Sequence, residues 1–286
     1  MTENNTTAML FPGQGSQRAE MRETVAAHCP ELLDLAIDEM GCDPFERIKE
    51  GTAFQQPALY CASVAGWKAA GSPVAEFMVG HSLGELAAAA ASGAITAEDG
   101  LRLAITRGRV MQDAAAADPG GMLAVLGDGN GPAGLAASLG LTVANDNAPD
   151  QIVLSGPADA ITEARRKFKE AGIRTVRLPV AGAFHSPAMA VAVPGFQTAL
   201  DAVEVKSPRT TLLSSITTLP VADLRNGLVL ALTRPVRWRE TMISLKEHGV
   251  GRFLESGPGE VLTGLVRRTI AGADAGPLVA EGNPGA

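Results

Sequence analysis

Cysteine is scarce in this chain. Its 286 residues hold three, Cys29, Cys42 and Cys61, at irregular spacing, with no C-x-x-C pair and no histidine at metal-ligand spacing beside them. That pattern excludes a disulfide framework and the common zinc sites, and the three thiols are expected to be reduced, buried and inert. Basic charge is also short: 24 Lys and Arg against 31 Asp and Glu leave a net charge of −7. Binding phosphates needs a basic face, and the motifs of the common nucleic-acid readers are missing, which argues against nucleic acid as a partner. Long apolar runs are missing too. The most apolar stretch, Leu83 to Ile95, is broken by Glu85 and Gly93 and falls short of the roughly 20 residues a membrane helix needs. Met1 to Thr7 is polar and does not read as a secretory signal, so the expectation is a cytoplasmic protein without a membrane partner.

What is present is a globular composition, 46% apolar and 19% charged, in a chain long enough for one large domain carrying a smaller inserted one. Ala8 to Phe11 reads as a strand stopped by Pro12-Gly13, with a helix starting nearby. Glu76 to Val79 reads as a second strand, Leu83 to Ser92 as a helix of good formers, and Ala97 to Gln112 as an amphipathic helix with Leu101, Ala104 and Ile105 on one side and Arg102, Arg107 and Arg109 elsewhere. After the break at Asp118-Pro119-Gly120-Gly121, strand and helix signals follow in the order βαββαβ up to Leu178. This is the split βαβ, or ferredoxin-like, unit. Strand and helix signals then resume at Thr211 to Leu213, Val236 to Lys246, Arg252 to Glu255 and Val261 to Ile270. The expected division is therefore one domain from residues 1–118 and 185–286, with residues 119–184 inserted in it. The Gly-, Pro- and Ala-rich tail from Gly272 is expected to be mobile.

The chemistry centres on Gly80-His81-Ser82-Leu83-Gly84, a G-x-S-x-G between a strand and a helix. In that context the turn is a nucleophile elbow, which lifts the serine hydroxyl clear of the backbone while the helix N-terminus offers amides to a developing oxyanion. The alternative is a glycine-bounded turn with a serine helix cap. A serine nucleophile needs a base, and the chain has four histidines. His81 adjoins Ser82 on a tight turn, where neighbouring side chains diverge. His28 and His248 stand at helix C-termini, where an imidazole is favourable without catalysis. His185, where the chain re-enters the main domain, is the preferred base; the alternative there is a loop histidine satisfied by backbone. Gly13-Gln14-Gly15-Ser16-Gln17 lacks the lysine and spacing of a P-loop and has only two of the three dinucleotide-loop glycines. Its backbone amides instead suit half of an oxyanion hole.

Several spaced motifs carry a family resemblance: Phe11-Pro12-Gly13-Gln14-Gly15-Ser16-Gln17, Gln56-Pro57-Ala58, Gly80 to Glu85, Arg107-Gly108-Arg109-Val110-Met111-Gln112, Asn145 with Asn147, Phe184-His185-Ser186, Pro235-Val236-Arg237-Trp238 and Gly257-Pro258-Gly259. In this order they resemble malonyl-CoA:acyl carrier protein transacylases and the related acyltransferase domains of fatty-acid and polyketide synthases, from Met9 to about Ile270. The resemblance implies an α/β fold, an α/β-hydrolase-like core with a parallel sheet and the ferredoxin-like insertion. It implies Ser82 as the acylated nucleophile, His185 as its base, the backbone amides of Gln14 and Leu83 as the oxyanion hole, and Arg107 as the partner of the malonyl carboxylate. A guanidinium grips a carboxylate with two parallel hydrogen bonds, which selects malonyl over acetyl.

The implied reaction is ping-pong transfer from malonyl-CoA to the phosphopantetheine thiol of acyl carrier protein, with no cofactor and no metal, by a monomer. Phe184 before the histidine resembles malonyl-selective polyketide acyltransferases. Three features depart from the pattern. No acidic residue stands out to orient His185, and in Leu230-Ala231-Leu232-Thr233-Arg234 both Ala231 and Leu232 offer only backbone carbonyls. Arg234 occupies a position where asparagine is common, placing a second cation near the expected cleft. The loops after Cys42 and around Leu219 are short. An esterase or thioesterase would use the same elbow but needs no carboxylate-binding arginine, and a non-catalytic scaffold needs none of the three side chains. For carrier docking, Arg165, Arg166, Lys167 and Lys169 form a basic patch, with a solvated helix face as the preferred reading.

Overall fold

The computed structural model describes residues 6–127 and 132–279. The first part runs β1 (Thr7–Phe11), α1 (Met21–His28), α2 (Pro30–Met40), α3 (Thr52–Ala69), β2 (Phe77–Gly80), α4 (Gly84–Ala91) and α5 (Ala97–Ala117). A second group follows: β3 (Gly120–Leu126), α6 (Pro132–Ser138), β4 (Thr142–Ala148), β5 (Gln151–Pro157), α7 (Ala158–Glu170) and β6 (Arg174–Arg177). The chain then returns through α8 (Val193–Asp201), β7 (Thr211–Leu213), α9 (Leu224–Thr233), α10 (Trp238–Glu247), β8 (Arg252–Glu255), α11 (Val261–Thr269) and β9 (Asp274–Pro277).

Five strands form a parallel sheet in the order β7-β2-β1-β8-β9. Ala8 to Phe11 is apolar at every position because the central strand is covered on both faces: Met9 and Phe11 enter one core and Ala8 and Leu10 another. The register pairs Phe11 with Gly80, so β1 and β2 end side by side and the loops that follow them emerge together. That edge holds the site.

The other four strands are antiparallel in the order β4-β5-β3-β6, the arrangement of a ferredoxin-like unit. Alternation along β3 shows its two duties: Leu123 and Val125 pack with Ile161, Ala164 and Phe168 of α7, while Met122 and Ala124 join the core of the main body. The Pro235 to Trp238 segment clips this sheet to the larger one. Val236 exchanges backbone hydrogen bonds with Ala144 and Asp146 at 2.9 and 2.8 Å, and Arg239 Nη2 donates to Asp146 Oδ2 at 2.7 Å.

Three expectations need correction. The tail does not start loose at Gly272, because Asp274–Pro277 add a strand parallel to β8 and the Leu278 N–H donates to the Glu255 carbonyl at 2.8 Å. The remainder of that tail, residues 280–286, lies outside the described residues. Cys29 and Cys61 are buried, but Cys42 is partly exposed beside Arg47. Arg107 is not on the polar side of α5; it is buried with Gly108, while Arg102 and Arg109 face solvent. Among the described residues no helix is long and apolar enough to cross a membrane.

Candidate active site

The turn between β2 and α4 is cramped. A Cβ on Gly80 would stand 2.0 Å from Glu85 N, and one on Gly84 would stand 2.0 Å from the Phe11 carbonyl oxygen. Only glycine permits the approach, and the intervening Ser82 is forced to φ +54°. His185 is also left-handed, at φ +56°. Each of these two left-handed residues costs about 1–3 kcal/mol, strain held where the geometry of two reacting side chains is set. Ser186 anchors the second of them: its Oγ donates to the Ala183 carbonyl at 2.6 Å and accepts from Ala188 N at 3.3 Å.

Ser82 does not cap its helix, since no side-chain cap bond is made at the start of α4. Its Oγ lies 2.8 Å from His185 Nε2 and accepts from Arg107 Nη2 at 3.3 Å. The structure thus brings Ser82, His185 and Arg107 together from three separate parts of the chain. Gln14 follows three residues after Phe11 and Leu83 three after Gly80, the two paired strand ends. Among the described residues neither backbone N–H group donates to another hydrogen bond. The Gln14 loop is pressed onto the elbow, where a Cβ on Gly13 would meet the His81 carbonyl at 2.7 Å. The cleft at Ser82 has an empty volume of about 730 Å³, and its lining includes Gln14, His81, Met122, Asn145, Leu178 and Phe184.

The electrostatics follow from burial. His185 is pushed down to about 3, by burial first and then by the charge of Arg107. Its buried Nδ1 makes no complete hydrogen bond among the described residues, but the backbone carbonyls of Ala231 and Arg234 act to raise its basicity. Both belong to the C-terminal end of α9, whose last carbonyls lack helical partners and whose dipole favours a cation. A helix end thereby stands where an acidic third residue is missing. Arg234 contributes through its backbone; its exposed side chain is not part of the cleft wall.

Burial pushes Arg107 down to about 10, opposed by the Glu85 carboxylate. Glu85 in turn is pushed up to about 7 by burial, against the pull of Ser215, whose N–H and Oγ donate to its Oε1 at 2.8 and 2.9 Å.

The other histidines are placed as expected. His81 turns away from Ser82, its Nε2 2.8 Å from Asn147 Oδ1 and its ring edge-on to Trp238 at 5.2 Å between centroids. His28 and His248 stand at the ends of α1 and α10. The basic patch on α7 is self-neutralised at two of its four residues, Arg166 pairing with Glu163 and Glu170, and Lys167 with Glu163. Sequence reasoning gave no role to Glu85, or to Gln56, whose Oε1 accepts from Arg107 Nη1 at 2.6 Å. Both lie inside quoted motifs, which was the one available signal.

Comparison with known proteins agrees with this geometry. Residues 43–280 match the acyl transferase domain family. The chain is 40% identical over 283 residues to the polyketide biosynthesis protein ThaF of Burkholderia thailandensis, covering 92% of this chain but only 24% of that protein. It is 34% identical over 286 residues to the malonyl CoA-acyl carrier protein transacylase of Haemophilus influenzae, covering 92% of each. The solved structure of the malonyl-CoA:acyl carrier protein transacylase of Xanthomonas oryzae superposes with a TM-score of 0.89 at 33% identity, over 98% of this chain and 96% of that one.

Proposed function

The chain belongs to the acyl transferase family that includes the malonyl-CoA:acyl carrier protein transacylases, and on that premise we propose that it carries a malonyl group from malonyl-CoA to the phosphopantetheine thiol of an acyl carrier protein, for fatty-acid or polyketide synthesis. The observation that carries the choice of acyl group is Arg107: a buried guanidinium 3.3 Å from the Ser82 hydroxyl calls for an acyl group bearing its own anion.

In this reading His185 Nε2 takes the proton of Ser82 Oγ as that oxygen attacks the thioester carbon. The N–H groups of Gln14 and Leu83 hold the oxyanion. The tetrahedral adduct collapses, the C–S bond breaks, and coenzyme A leaves with the proton from His185. A pantetheine thiol then attacks the malonyl ester and reverses the steps. Arg107 serves twice. It binds the malonyl carboxylate, and that carboxylate offsets the positive charge which depresses His185, so the base strengthens when the right substrate is seated. The carbonyls at the end of α9 stabilise the imidazolium so formed. In this reading side chains and backbone of one chain carry the reaction without a cofactor; a monomer acting in the cytoplasm is part of the proposal.

The test is release of coenzyme A from malonyl-CoA with and without phosphopantetheinylated carrier protein. One turnover's worth of release is expected without carrier and sustained release with it. Fast release indifferent to carrier would mark a hydrolase and overturn the proposal.

A further inference from the structure

One chain of hydrogen bonds links the two halves of the site. Arg107 Nη1 donates to Gln56 Oε1 at 2.6 Å, Gln56 Nε2 to Thr52 Oγ1 at 2.8 Å, and Thr52 Oγ1 to Gln14 Oε1 at 3.2 Å. Gln14 Nε2 donates onward to Gln55 Oε1 at 2.5 Å, and Gln55 Nε2 to the Ile48 carbonyl at 3.1 Å. Its polarity follows from its ends. A guanidinium can only donate and a backbone carbonyl can only accept, so each amide and the hydroxyl between them must point one way.

Thr52 is the link that joins the halves. It is the first residue of α3, 6% exposed, and Gln56 lies one turn further along the same helix. Helix α5 reaches this turn because Gly108, next to Arg107, is bare: a Cβ there would stand 2.9 Å from the Thr52 carbonyl oxygen. On one side of the Thr52 hydroxyl stands the residue pair that faces the substrate carboxylate, and on the other the residue whose backbone N–H faces the oxyanion.

Resting on the malonyl-transfer reading above, we propose that Thr52 is a positioning residue that couples carboxylate binding at Arg107 to the placement of the Gln14 amide. A bound malonyl carboxylate draws Arg107 into one orientation, which fixes Gln56, and the hydroxyl passes that constraint to the Gln14 side chain and its backbone. Selection for malonyl is thereby expressed in the chemical step as well as in binding. An acetyl group does not engage Arg107 and gains nothing from the link.

The experiment compares wild type, Thr52→Val and Thr52→Ser, measuring kcat and KM for transfer from malonyl-CoA and acetyl-CoA. Valine keeps the volume and removes the hydroxyl; serine keeps the hydroxyl. The ratio of kcat for malonyl to kcat for acetyl is expected to fall about tenfold in Thr52→Val, the size of a typical coupling between linked groups, with KM for malonyl-CoA little changed and serine restoring the ratio. Thr52→Ala removes the same hydroxyl and gives the ratio if the valine variant does not fold. An unchanged ratio, an equal loss for both acyl groups, or a serine variant as impaired as the valine overturns the proposal. A wild type that transfers neither group overturns the malonyl-transfer reading, and this inference with it; a wild type that transfers malonyl with an unmoved ratio in the variants overturns this inference alone.

Discussion

Ser82→Ala abolishes the acyl adduct and lowers malonyl transfer on the order of 10⁵- to 10⁶-fold, the loss expected when a covalent nucleophile is removed from a preorganised serine site. The size follows from what Ser82 supplies. Among the described residues its Oγ is the one hydroxyl that bonds to both His185 Nε2 and Arg107 Nη2. Without it, His185 has no group to deprotonate, and on the proposed mechanism the N–H groups of Gln14 and Leu83 have no tetrahedral oxygen to hold. The elbow survives the change, since the close approach of Gly80 and Gly84 to their neighbours is untouched and alanine carries the same Cβ at φ +54°. Thermal unfolding should therefore shift little while intact-protein mass shows no adduct. An alanine variant that still acquires one acyl group would place the nucleophile elsewhere.

Arg107→Ala is expected to lower malonyl loading about 10²- to 10³-fold, because the substrate carboxylate then enters a buried site without its partner, a loss of about 3–4 kcal/mol. Acetyl loading should be spared or improved. The charge of Arg107 is one of the causes that hold His185 at about 3, so removing it strengthens the base for a substrate that never used the guanidinium. Arg107→Lys should recover malonyl loading only in part, since an ammonium cannot serve Gln56 and a carboxylate with the same planar fork. Kinetics with the two thioesters check both arms; equal loss for malonyl and acetyl would refute the carboxylate role.

Much of this was legible in the sequence because the features are local. G-x-S-x-G states its own strand-turn-helix geometry, and the order βαββαβ specifies the antiparallel sheet that forms. Choosing His185 among four histidines needed only the local surroundings of each. Arg107 was not legible from periodicity: an arginine on an amphipathic helix reads as a surface residue, and its burial depends on α3 lying close against Gly108. The same holds for Gln56 and Thr52, whose partners lie 51 and 38 residues away. Strand β9 was missed because Asp274–Pro277 is short and rich in residues that disfavour strands; pairing with β8 decides its conformation. The surroundings of His185 were legible only as an absence of acids, because the backbone carbonyls that raise its basicity, at the end of α9, carry no side-chain signature.

Both halves of the account, a serine ester and a preference for an acyl group with its own carboxylate, meet in the mass of the acylated protein. The most direct measurement exposes the protein to an equimolar mixture of malonyl-CoA and acetyl-CoA and records its intact mass, with the modified peptide then sequenced. A single malonyl adduct on Ser82 is the predicted result. An acetyl adduct in equal or greater amount, or acylation at any other residue, would contradict it.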